Sequence, residues 1–173
     1  MKTQKLLVIV AISCLMLGGL GADMAAAEDT DCPLGAETGL VLGDVTVAGD
    51  CFVQAAVITG DVTVNNEPDE TFVLYNTVVN GKVKVKGGIV IIKESVVVHS
   101  NLVVNDTINT VVSDTLVAEG NMRFVGNEYV LITTNVVPLG NIRCKDNVAP
   151  DGTRADYANK NIVPRGNITC FGQ

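Results

Sequence analysis

Apolar and polar residues alternate along most of this chain in short bursts, and the bursts recur. A segment of the form Gly–(Asn/Asp/Lys)–apolar–x–apolar starts at Gly43, Gly60, Gly81, Ser100, Gly120, Gly140 and Gly166, serine replacing glycine once, at spacings of 17, 21, 19, 20, 20 and 26 residues. Period-two alternation marks strands whose side chains point to opposite faces. A repeat of roughly 20 residues is one coil, which buries its apolar face only by stacking on its neighbours. The pattern therefore predicts an all-β single-stranded parallel β-helix, a solenoid of about six coils. The strict hexapeptide period of left-handed helices is missing, which favours a right-handed coil.

Alignment on the glycine separates inside from outside. Val45, Val62, Val83, Leu102, Met122, Ile142 and Ile168 form one column, and Val47, Val64, Val85, Val104, Phe124, Cys144 and Cys170 the next. Residues two apart on a strand share a face, so both columns point inward. Between them stand Thr46, Thr63, Lys84, Val103, Arg123, Arg143 and Thr169, which suit an outward face. A second strand is expected to turn Phe52, Val73, Ile92, Val112 and Ile132 inward. A third carries Val57, Val78, Val97, Val117, Val137 and Val163, also expected to face in. Asn76, Ser95, Thr115, Asn135 and Asn161 precede it, and either stack as a polar ladder or simply suit a turn.

Glycine at each coil start fits a corner that needs positive φ or tight clearance. The Asp or Asn that usually follows tolerates such corners too. Cys144 and Cys170 occupy one inward column on neighbouring coils, and stacked strands about 4.8 Å apart suit a disulfide. Cys32 is then left for Cys51, so that both ends of the rod are stapled. The long coil from Gly140 to Arg165 carries turn formers around Pro150 and Gly152, which predicts a loop insertion near 147–157.

Lys2 and Lys5 precede an apolar run from Leu6 to Leu17, and Ala25-Ala26-Ala27 offers small residues before a cut at Glu28. Segment 1–27 thus reads as a signal peptide, 28–42 as an N-terminal cap and 43–173 as the solenoid. The run is short of the roughly 20 residues a membrane span needs. Export to an extracellular, periplasmic or cell-surface location is expected, with no stable membrane span after cleavage. Four cysteines beyond the leader agree with an oxidising compartment. Removing Lys2, Lys5 and Asp23 takes a net +1 from the chain's charge of −7 and leaves −8. Such an acidic domain, without Trp, is a poor nucleic-acid binder.

The ending Gly140-Asn141-Ile142-Arg143-Cys144, answered by Gly166-Asn167-Ile168-Thr169-Cys170, resembles the closing turns of small exported bacterial β-helix proteins. The resemblance covers about residues 43–173. It implies the fold and carries over no functional residue.

Chemistry is sparse. Asp44 and Asp61 on adjacent coils, with Lys82 and Lys84 next, are the best catalytic or calcium-binding candidate. Paired carboxylates are the minimum for most glycosidases, but carboxylates also recur at corners for conformational reasons. His99 stands alone, without a nucleophile motif, and reads as an exposed turn residue. No CxxC pair supports zinc, no phosphate loop is present, and no cofactor is expected. An ice-binding threonine array is broken by Lys84, Arg123 and Arg143.

Two surfaces remain. If the valine column faces in, Thr77, Val96, Leu116, Val136 and Ile162 form an outward apolar stripe, the mark of an interaction surface. The leading expectation is accordingly a non-catalytic structural or interaction protein, presenting a rigid face to a homo-oligomer or an envelope or matrix partner. The alternative is a carbohydrate-binding module or degenerate carbohydrate-active β-helix, gripping a polysaccharide through Lys84, Arg123 and Arg143 or the 147–157 loop.

Overall fold

A computed structural model describes residues 39–132, 136–148, 150–152, 156–158 and 165–170. Within these the chain is all-β, with no helix, and winds into a solenoid of three six-stranded parallel sheets. The first sheet stacks Val45–Val47, Val62–Asn65, Val83–Lys86, Leu102–Asn105, Met122–Val125 and Ile142–Lys145. The second stacks Cys51–Gln54, Thr71–Tyr75, Ile89–Lys93, Asn109–Val112, Val130–Ile132 and Asp156–Ala158. The third stacks Gly39–Val41, Ala56–Ile58, Val78–Val79, Val96–Val98, Leu116–Ala118 and Val136–Pro138. Asp156–Ala158 overlaps the end of the expected 147–157 insertion and pairs with Val130–Ile132, so the end of that segment continues the sheet. The leader, most of the cap, Cys32, Asn135, Asn161, Ile162 and Val163 fall outside the described residues.

The two inward columns of the first sheet are those the alternation predicts. Val45, Val47, Val62, Val64, Val83, Val85, Leu102, Val104, Met122, Phe124 and Ile142 are all buried. Each such aliphatic side chain stabilises the fold by about 1.5–3 kcal/mol, so the stacked columns are its main cohesion. Cys144 and Cys170 close the last coil with a disulfide at a Cα separation of 4.8 Å. Cys51 is also disulfide-bonded.

The second sheet departs from expectation in its first two coils. Val53, Leu74, Ile92, Val112 and Ile132 are buried, whereas Phe52 is exposed and Val73 half-buried. The cause is the corner into the third sheet. Two residues separate the inward positions there in the early coils (Gln54-Ala55, Tyr75-Asn76) and three in later ones (Lys93-Glu94-Ser95, Ser113-Asp114-Thr115). One corner residue adopts the left-handed conformation in each case, at Ala55, Asn76, Glu94 and Asp114. A fixed count back from the glycine therefore selects the wrong face in the short-cornered coils.

The third sheet is reversed relative to expectation. Val96, Leu116 and Val136 are fully buried, and so is Thr77, whose hydroxyl donates to the Tyr75 carbonyl at 2.9 Å. The column Val57, Val78, Val97, Val117 and Val137 points outward, in register from coil to coil. In a three-residue strand the end-in phase buries two side chains and the other buries one. Nor do Asn76, Ser95 and Thr115 make a ladder: all three are exposed corner residues.

The glycine corners are governed by clearance. Asp44 Oδ1 accepts the backbone N–H of Asp61, and Asp61 Oδ1 that of Lys82, each at 2.8 Å. Asn101, Asn121 and Asn141 pass the same bond up to Asn121, Asn141 and Asn167 at 2.7, 3.0 and 2.8 Å. A Cβ on Gly140 would lie 2.7 Å from the Gly120 carbonyl oxygen and 2.8 Å from Asn121 Oδ1. Gly60, Gly81, Gly120 and Gly166 meet the same obstruction from the coil below. Ser100 is the one corner above a residue other than Asp or Asn, namely Lys82, and the one without glycine.

Candidate functional site

Three outward faces differ sharply in chemistry. On the first sheet, Arg123 and Arg143 are direct neighbours, and Lys84 joins the same row across Val103. Lys86 and Lys145 stand in the adjoining row, with Asn65, Asn105 and Val125 between and beside them. No Asp or Glu lies on any strand of this sheet. Among the described residues, Lys84, Lys86, Arg123 and Arg143 make no ion pair, and Lys145 meets only the exposed Asp146, at 3.4 Å. The structure thus brings Lys84, Arg123 and Arg143 together on one face and adds Lys86 and Lys145.

The second sheet shows the opposite character. Phe52, Val73, Ile91, Val111 and Leu131 form one unbroken outward row across five strands. Phe52 and Leu131 are each 40% exposed, and the Phe52 ring sits 6.2 Å from that of Tyr75, centroid to centroid. On the third sheet Leu40 precedes the outward valines, with Leu40 59% and Val57 40% exposed. The expected stripe of Val96, Leu116, Val136 and Ile162 is therefore replaced by its neighbours: the first three are core, and Ile162 lies outside the described residues.

The corner acids are engaged in structure. Asp61 accepts a backbone bond through Oδ1 and pairs with Lys82 Nζ through Oδ2 at 2.9 Å. The Lys82 backbone N–H, then its ammonium, hold the Asp61 carboxyl below its ordinary value, and that carboxylate raises Lys82 in turn. Asp44 is committed to the same ladder. His99 Nδ1 lies 2.9 Å from Glu119 Oε1 on the next coil. Among the described residues, no three His, Cys, Asp or Glu side chains form a metal-binding group.

Sequence reasoning misses the apolar row of the second sheet because a fixed count from the glycine puts Phe52 and Val73 in the core. It also misses a buried polar corner after the first sheet. Asn147 Oδ1 accepts from the backbone and side-chain N–H of Asn127, each at 3.0 Å. Asn127 Oδ1 accepts from the Thr107 N–H and hydroxyl at 3.0 and 2.8 Å. Both amides donate back, to the Val104 and Phe124 carbonyls at 3.2 Å. The signal was the 20-residue spacing of Thr107, Asn127 and Asn147.

The architecture defines the class, a parallel β-solenoid. Comparison with protein-family models, curated proteins and solved structures finds no match.

Proposed function

We propose that the protein is an exported, non-catalytic interaction scaffold whose rigid apolar faces pack against further copies of itself in the cell envelope or outside the cell. The observation that supports this reading is the row Phe52, Val73, Ile91, Val111 and Leu131, apolar in every coil it crosses. An outward sheet face normally carries polar residues, and a contiguous apolar one marks a surface that another molecule covers. A flat, regular face is self-complementary, so two copies related by a two-fold axis bury it face to face. The Cys144–Cys170 bond is compatible with an oxidising location, and the resemblance of the closing turns to exported β-helix proteins agrees with it.

Light scattering of the oxidised protein tests the reading. Wild type is expected to form a defined oligomer, and Ile91→Glu with Val111→Glu to yield a monomer with an unchanged circular dichroism spectrum. A wild-type protein that stays monomeric at every concentration overturns it.

A further inference from the structure

The geometry points to a second, independent surface: the outward face of the first sheet is a binding strip for a single linear acidic polysaccharide laid along the solenoid axis. The chain is acidic overall, with 19 Asp and Glu against 12 Lys and Arg, yet five cations and no carboxylate occupy the strands of this one sheet. Arg123 lies directly beside Arg143, and Val125 beside Lys145. Like charges placed side by side on a sheet are destabilising, and among the described residues no carboxylate pairs with Arg123 or Arg143. A ligand anion would.

The shape of the strip selects a narrow polymer. Lys84 and Arg143 are three strands apart, so the cations span about 14 Å along the axis at about 4.8 Å per strand. Across the axis the face is one strand wide, about 13 Å for four residues. Carboxylates border it on both sides: Asp44, Asp61 and Glu119 along one corner, Asp106 and Asp146 along the other. A broad anionic surface, whether a bilayer or a nucleic-acid duplex, would press against those borders and be repelled. Of the charged side chains, a single chain running up the middle meets Lys84, Lys86, Arg123, Arg143 and Lys145 and no carboxylate of these strands. The strip presents no aromatic ring on which bases could stack, which disfavours single-stranded nucleic acid. Asn65, Asn105 and Thr63 alternate with the cations and suit the hydroxyls of a sugar acid, while the guanidinium groups suit its carboxylates.

The test is affinity electrophoresis and calorimetry of the full oxidised protein with polygalacturonate, using dextran, poly-glutamate and single-stranded DNA as comparators. Polygalacturonate is expected to retard the protein at low salt, with retention falling as salt rises. Arg123→Glu with Arg143→Glu is expected to weaken it at least tenfold. Lys84→Glu with Lys86→Glu, on a different coil, should do the same, so the inference does not rest on one variant folding. Lys93→Glu, on the second sheet, should leave binding intact. The inference is overturned if wild type ignores polygalacturonate or if either strip variant that keeps the wild-type spectrum binds as before. Equal retention by poly-glutamate or DNA also overturns it, by removing the glycan as the ligand class. Oligomeric state plays no part in the readout, so failure here and failure of self-association are distinguishable.

Discussion

Two asparagine columns climb this solenoid with the same 20-residue step, one outside and one within. Asn101, Asn121 and Asn141 stand at the exposed corner before the first sheet, where each side-chain oxygen accepts the backbone N–H of the coil above. Asn127 and Asn147 stand at the corner after it, almost wholly buried, and their oxygens accept from the coil below. The outer column competes with water for every bond, so its net contribution is small. In the inner column, a lost partner leaves a polar group with no water to turn to. The same residue type, recurring at one interval, is thus a spacer at one corner and a structural cross-brace at the other. The outer column acts chiefly through the space it fills, which obliges the next coil to begin with glycine.

The sharpest way to break this contrast is Asn127→Ala. It strands the Thr107 N–H and removes the amide donor to the Val104 carbonyl, leaving Asn147 Oδ1 only the backbone N–H of residue 127, and is expected to cost about 3 kcal/mol, read as a lowered urea midpoint. Asn121→Ala, at the outer corner, should cost only about 1 kcal/mol by the same measurement. Equal losses would show that burial does not separate the columns. Between them lies Gly140→Ala, which drives a methyl against the Gly120 carbonyl and Asn121 Oδ1 and should cost about 2 kcal/mol. Ser100→Gly, above Lys82, should change stability by no more than about 0.5 kcal/mol, a typical surface effect. A large gain there would mean that the serine is strained and that clearance does not explain the exception.

The smallest expected effect is electrostatic. The folded Asp61 carboxyl titrates below its ordinary value of 3.8, held there by the Lys82 N–H and ammonium. Its contribution is complete above that value and fades as pH falls through the lowered folded one. Asp61→Asn keeps the Oδ1 acceptor and removes the charge, so it should flatten only this acid limb of the stability profile. The pair is well exposed, so its effect at neutral pH should be close to the error of a thermal melt.

Much of this was readable beforehand, and the misreadings have local causes. The first sheet was legible because its strands follow directly on the glycine, leaving no variable corner in between. The closing disulfide followed from the same register. The second sheet slipped at Phe52 and Val73, where the corner is one residue shorter. The phase of the third is not legible, because Val96-Val97-Val98 looks alike from either side. Its flanks are polar in either phase, Glu94 and Ser100 for one and Ser95 and His99 for the other, so only the folded coil sets which valines face in. Lys84, Arg123 and Arg143 were recognisable as outward because they alternate with core residues on the strands that need no corner count.

Repeat length, strand alternation and glycine spacing already specified a stacked parallel coil, because each is a local pattern that one coil imposes on the next. Which of two apolar neighbours faces water was settled only in three dimensions, since a single corner residue reverses every side chain beyond it. The same holds for the two asparagine columns. Spacing aligns them, but only the folded coil determines whether water reaches them, and access to water sets what their hydrogen bonds contribute.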